Sequence, residues 1–306
     1  MRDLIPNSLT KRIFLKAGAC LALSTTLSLI VHHLSLPAQA GSGVTTHWVD
    51  GHASRVRMMV GRGTAQAGET QKIVAGIQIE LRPGWKTYWR HPGDAGGVPP
   101  NFDWSKSTNV AEARVVFPAP KRLTDETGDT IGYKDNVVLP VVITPSDAAR
   151  PIDLKLDFAF GVCREICIPA EARLALDVPH GVSLAMPDEL SEALEHAPRT
   201  TGRKRAGDPE LVGQEIVLTG GAPRIVLDVD FAGAADKGDV FAEAPDGIYL
   251  PMARRVESGG NDGAGERARF VIDLRDAFEL DELKGRTITL TLVGTKGQSE
   301  RELRLQ

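Results

Sequence analysis

The sequence predicts an all-β protein: two β-sandwich domains in tandem, with one short helix and a linker between them. Apolar residues recur with period two along most of the chain, and turn-forming residues break those runs at short intervals. A polar, breaker-rich stretch near residue 200 divides the pattern in two. The signature of a helix appears once between the two halves.

The first domain is expected over residues 41–182. Ile73, Ala75, Ile77, Ile79 and Leu81 alternate in IVAGIQIEL, and Ile152, Leu154, Leu156, Phe158 and Phe160 alternate in IDLKLDFAF. A strand of that pattern buries one face in a core. VRMMV, ARVVF, VVLPVVIT and ARLALDV are further strands, separated by the turn-rich pieces RPG, HPGDAGGVPP and PSDAARP. Several short strands with turns between them imply a sandwich.

Residues 183–205 are expected to hold the helix and the linker. In PDELSEALEHA, Pro187 suits the first turn, Asp188 and Glu189 sit at the positive end of the helix dipole, and Leu190 and Leu194 lie four apart. PRTTGRKRAGDPE then reads as the linker. The second domain, 206–306, returns to period two. Its faces are Ile225, Leu227, Val229 and Phe231; Phe270, Ile272 and Leu274; and Ile288, Leu290 and Leu292. The insert ESGGNDGAGERA at 257–268 reads as a loop between two of these strands. This domain has no Cys and no His, so it reads as a structural or docking module.

The 306 residues, 42% of them hydrophobic, are enough for buried cores, and a net charge of −4 gives no support to nucleic-acid binding. Residues 1–40 read as a cleaved signal peptide: Arg2, Lys11, Arg12 and Lys16 precede an apolar run that ends in small residues at Ala38 and Ala40. TKRIFLK resembles a twin-arginine export signal with Lys11 in the first arginine's place, and an ordinary secretory leader fits it as well. Cys20 belongs to this leader. Its removal takes four basic residues and one acid, moving the charge to about −7. The expected product is a periplasmic monomer with no stable membrane insertion, in a compartment where two cysteines can pair.

Those two are Cys163 and Cys167, in FAFGVCREICIPAEARL on the connection between two strands. A disulfide between them is geometrically reasonable, since a five-residue span can bring the α-carbons to the required separation. Closing so short a loop removes only about 2 kcal/mol of denatured-state entropy, against roughly 4 to 5 for a bridge spanning a domain. Stapling is therefore a weak reason for the pair. A short, exposed disulfide is instead readily attacked by another thiolate and re-formed. Arg164 favours a Cys163 thiolate and Glu165 opposes it. Three readings stand on these residues: redox exchange, a structural disulfide, and binding of a soft ion such as Cu(I), with His91 or His180 completing the site.

FGVCREICIPAEARL, with the upstream PGWKTYWRHPGDAGG and GYKDNVVLPVVI, resembles the N-terminal periplasmic domain of the thiol:disulfide interchange protein DsbD, especially its ScsB-type relatives. The likeness covers roughly residues 45–180. It implies an immunoglobulin-like sandwich with Cys163 and Cys167 as the catalytic redox pair, an oxidoreductase-like role, and no cofactor. In the family such a domain relays electrons between a membrane electron-transfer protein and thioredoxin-like periplasmic proteins, including those of cytochrome c biogenesis. The resemblance also implies a cap loop over the pair, to which Asp125 and Glu126 correspond; Thr127 and Gly128 replace its aromatic residue. If near, these acids would raise the thiol pKa by like-charge repulsion. Tyr133 matches the family's Tyr-x-Asp block and is a candidate neighbour of the site. The C-x-x-x-C spacing fits the ScsB-like branch. With no polytopic or thioredoxin-like part in this chain, separate polypeptides would supply them, or the scaffold would serve as a disulfide carrier or in copper tolerance.

Overall fold

The computed structural model describes residues 44–63, 72–126, 128–256, 266–275 and 280–306, all within the compact unit Ala40–Gln306. The expected signal peptide, Thr127 and residues 257–265 of the insert lie outside the described residues. The fold is all-β, and its strands pair antiparallel.

Two six-stranded sheets face each other in the first half. One runs in the order Val44–Thr45, Ser54–Gly63, Lys72–Leu81, Asn136–Pro145, Val110–Val115, with Val49–Gly51 also on Ser54–Gly63. The other runs Cys167–Val178, Ile152–Cys163, Lys86–Tyr88, Gly128–Lys134, Lys121–Asp125, with Asn101–Asp103 also on Ile152–Cys163. Side chains alternate across a strand, so the even positions from Ile152 to Val162 all enter the core, where they meet Ile73, Ala75, Ile77 and Ile79 of the opposite sheet. Each such side chain, fully buried, contributes about 1.5–3 kcal/mol. Odd positions of the same strand face outward, and Cys163 is one of them.

The helix spans Asp188–Glu195, with Pro187 at its N-cap rather than in its first turn. It lies on the outer face of the first sheet, where Leu190 and Ala193 pack on Met59, Val74 and Val138. Two glycines permit that approach. A Cβ at Gly76 would lie 2.8 Å from Leu190 Cδ1, and one at Gly61 2.7 Å from Pro187 Cδ.

The stretch read as a linker is strapped down. The Arg199 backbone pairs with Gln298 and Glu300, and its guanidinium grips Asp208, whose side chain is wholly buried. Beyond it a four-stranded sheet, Glu210–Val217, Arg224–Asp230, Arg267–Asp273, Arg254–Val256, stands with a three-stranded one, Asp239–Glu243, Thr287–Val293, Gln298–Arg304. The three predicted apolar faces meet in one core.

The two halves are joined by apolar and charged contacts. Phe241 and Met252 belong to the first core, and the Phe241 ring lies 6.0 Å from Trp89. Beside them Arg90 donates to both Glu243 oxygens at 2.6 to 3.0 Å and to Glu300 at 2.8 Å. Arg122 forks onto Asp239 at 2.9 Å and reaches the Ala253 carbonyl at 2.7 Å. Planar forks of this kind fix orientation as well as distance.

Candidate thiol site

Cys163 ends one strand of a long hairpin and Cys167 begins the next, as directly opposed residues. The alternation that sends Val162 and Ile168 inward turns both cysteines to the outer face of the sheet. Both are free thiols, with the Cys167 sulfur 3.0 Å from that of Cys163. Cys163 is buried and Cys167 exposed. Ile166, at the tip between them, is 74% exposed.

Lys86–Tyr88 is the next strand inward, pairing Cys163 with Lys86 and Val162 with Thr87. Thr87 therefore faces the core, while Lys86 and Tyr88 share the outer face with the thiols. The Tyr88 hydroxyl lies 2.6 Å from Cys167 Sγ. Burial, reinforced by the two neighbouring sulfurs, holds the phenol proton on far above its ordinary range. A neutral phenol is thus a donor toward any thiolate formed beside it. The loop His91–Pro100 covers the ring: a Cβ at Gly97 would sit 2.2 Å from Tyr88 Cε1, and the Val98 carbonyl accepts from Gly161 N–H at 3.0 Å.

Lys86 is buried, with its ammonium 2.6 Å from Asp125 Oδ2 and 2.9 Å from Thr130 Oγ1. Burial pushes the Cys163 thiol above its usual range; the Tyr88 hydroxyl pulls it down, the second sulfur pushes it up, and Lys86 pulls it down. A cation, not an acid, is therefore the nearer charge to act on Cys163. Asp125 does reach the site, but as the partner of Lys86 rather than through direct repulsion of the thiol. Glu126 is exposed in the turn that follows. Arg164 and Glu165 pair with each other at 3.3 Å on the exposed hairpin tip.

Tyr133 does not join the thiols. It pairs with Thr87, so its side chain enters the core, where the hydroxyl donates to the Pro118 carbonyl at 2.9 Å and burial raises its pKa. Tyr88 takes the place expected of it. Lys86 and Tyr88 lie within PGWKTYWRHPGDAGG, but a strand of three residues carries no periodicity that separates its outward side chains from its inward one.

The histidines stay apart. His180 lines a cleft with Arg62, Ile143 and Val178 at the far end of the hairpin, roughly 36 Å from Cys167 at the rise of a strand. His91 opens the covering loop with its ring part-buried, which lowers its pKa. Among the described residues no three His, Cys, Asp or Glu side chains cluster so as to hold a metal ion. A soft ion here would have two thiolates and no third such ligand from these residues.

An outward thiol pair on a hairpin of a β-sandwich agrees with the sequence comparison. Residues 59–179 match the N-terminal family of the thiol:disulfide interchange protein DsbD. The resemblance read from the sequence holds over this DsbD-like stretch, which contains both cysteines, Lys86, Tyr88 and Asp125. A crystal structure of the N-terminal periplasmic domain of ScsB from Proteus mirabilis is similar in fold, with a TM-score of 0.63 at 18% identity, over 86% of this chain and 98% of that one. The likeness extends past the DsbD-like stretch into the second half. No curated protein matches the chain. Among the described residues, no helix is long and apolar enough to cross a membrane.

Proposed function

We propose that this is a periplasmic thiol:disulfide exchange protein that relays reducing equivalents through Cys163 and Cys167 to or from thioredoxin-like partners, with a separate membrane protein as the other terminus. The observation that supports it most is the asymmetry of the pair: one sulfur exposed at a hairpin tip, the other buried 3.0 Å behind it, and a phenol hydroxyl on the outer one. Cys167 is then the sulfur that meets the partner. Its thiolate attacks one sulfur of the partner's disulfide, that S–S bond breaks, and the partner's other sulfur leaves as thiolate. The Cys163 thiolate next attacks Cys167 Sγ, forming the Cys163–Cys167 disulfide and releasing the partner as a dithiol. Two electrons pass to the partner, and the two thiol protons go to solvent or to its thiolates. The reverse sequence reloads the pair.

The test is a trap. Cys163→Ala removes the resolving sulfur, so incubation with an oxidised thioredoxin-fold protein accumulates a mixed disulfide on Cys167, reversible by dithiothreitol. Cys167→Ala gives far less. Equilibration of the wild-type pair against glutathione buffers is expected to place its potential above about −300 mV. A potential well below that, with no adduct from either variant, would make the bridge structural.

A further inference from the structure

The second half of the chain brings no Cys or His, yet it touches the loop that covers Tyr88. Asp94, in the middle of that loop, accepts two hydrogen bonds on Oδ1 at 2.8 Å: one from the Tyr249 hydroxyl and one from the Met252 backbone N–H. On either side the loop is fitted closely. A Cβ at Gly93 would lie 2.8 Å from Met252 Sδ, and Ala95 N–H donates to the Asp129 carbonyl at 3.1 Å. Three residues past Asp94, Gly97 lies against the Tyr88 ring. Met252 is itself part of the first core, so the clamp stands on a packed base.

We propose that Asp94 is a positioning residue: held by Tyr249 and Met252 of the second sandwich, it keeps the His91–Pro100 loop pressed on Tyr88 and thereby keeps the phenol hydroxyl on the Cys167 sulfur. The second sandwich then acts on the thiol chemistry without contributing a group to it. Tyr88 has one rotatable bond that sweeps its ring off the sheet, and the loop closes that path. Without the clamp the ring gains freedom and the hydrogen bond is made for a smaller share of the time. The inference rests on the exchange reading only in taking Cys167 as the outward thiol. The charged groups nearest the pair along the fold are Lys86 with its partner Asp125 and, at the hairpin tip, Arg164 with Glu165; a change at residue 94 touches neither ion pair and reaches the thiols through Tyr88.

The experiment is the pH profile of iodoacetamide alkylation of the reduced full chain, read by mass spectrometry at the Cys163 peptide, whose thiol the Tyr88 hydroxyl pulls down. Altered access changes the plateau of that profile, whereas a lost donor moves its midpoint. Tyr88→Phe and Asp94→Ala are each expected to move the midpoint upward, by up to about one unit, which is tenfold in thiolate fraction on the acid side. The double variant is expected to match Tyr88→Phe alone, because Asp94 acts through the phenol. Tyr249→Phe, which removes one of the two donors to Asp94, is expected to give a smaller shift in the same direction. An Asp94→Ala midpoint equal to wild type, or an equal shift on the Tyr88→Phe background, would overturn the proposal. Should Asp94→Ala fail to fold, an unmoved midpoint in Tyr249→Phe does so. Alkylation requires no protein partner, so the outcome stands whether or not the trap succeeds.

Discussion

Lys86 is the residue whose charge most directly favours a thiolate at Cys163, and it is buried with Asp125 as its counter-ion. Lys86→Met keeps the length and removes the cation, leaving the carboxylate beside the pair. Both changes disfavour the thiolate, so the alkylation profile of Cys163 moves upward and exchange at pH 7 slows. Asp125→Asn works in the opposite direction. If the two substitutions shifted the profile the same way, the assignment of the charges would fail. The folded state also favours the neutral Cys163 thiol, its pKa being raised mainly by burial. That contribution to stability is complete below the ordinary thiol pKa, about 8.5, and is lost as pH rises through the folded value. Urea titrations of the reduced protein should therefore be steady from about pH 7 to 8, above the range in which the part-buried His91 titrates on unfolding, and show falling midpoints above that, with the fall weakened in Cys163→Ala. The cysteines were legible because they are rare and adjacent to strands. Tyr133 and Tyr88 were not separable in the same way, since the parity of two short paired strands decides which tyrosine faces the thiols. That parity is fixed only when Thr87 finds Tyr133 across the sheet.

At the scale of elements, the long runs declared themselves and the short ones did not. IDLKLDFAF alternates over enough positions to identify its core face, and the strand extends it to Cys163 without a break in parity. Lys86–Tyr88 has three residues and no periodicity of its own to read. The piece HPGDAGGVPP was legible as a turn-rich separator, but the ring that requires Gly97 to lack a side chain is distant in the fold's logic and near only in space. The helix is the clearest local success, and its energetics are testable in isolation from the site. Leu190 is fully buried between the helix and the outer face of a sheet that does not bear the cysteines. Leu190→Ala leaves a cavity there and is expected to cost about 2–5 kcal/mol in urea unfolding. The pH profile of alkylation should stay where it is. A smaller loss, below about 1 kcal/mol, would mean that the helix is a loosely attached strap rather than part of the packed unit.

At the scale of the molecule, the division into two sandwiches was readable from where the period-two pattern stops and restarts, whereas their joint was not. Arg90 meets Glu243 and Glu300, 153 and 210 positions away in sequence, and such pairs leave no local signature. The joint determines whether the halves unfold together. All four tryptophans, Trp48, Trp85, Trp89 and Trp104, lie in the first half, so their fluorescence reports that half and, through Trp89 against Phe241, its joint, while far-UV circular dichroism reports both halves. In the wild type the two probes should give coincident urea transitions. Glu243→Ala leaves the part-buried Arg90 guanidinium with Glu300 as its one remaining carboxylate of the two, at an expected cost of about 1–3 kcal/mol after allowing for its partial exposure. Because that cost falls on the joint and not on either core, it should separate the two transitions instead of displacing them together. Coincident transitions at an unchanged midpoint in Glu243→Ala would show that Phe241 and Met252 hold the halves together without the ion pair. Separation would show that the arginine fork is what makes one cooperative unit of two sandwiches, and so what lets a clamp in the second stay in register with a thiol in the first.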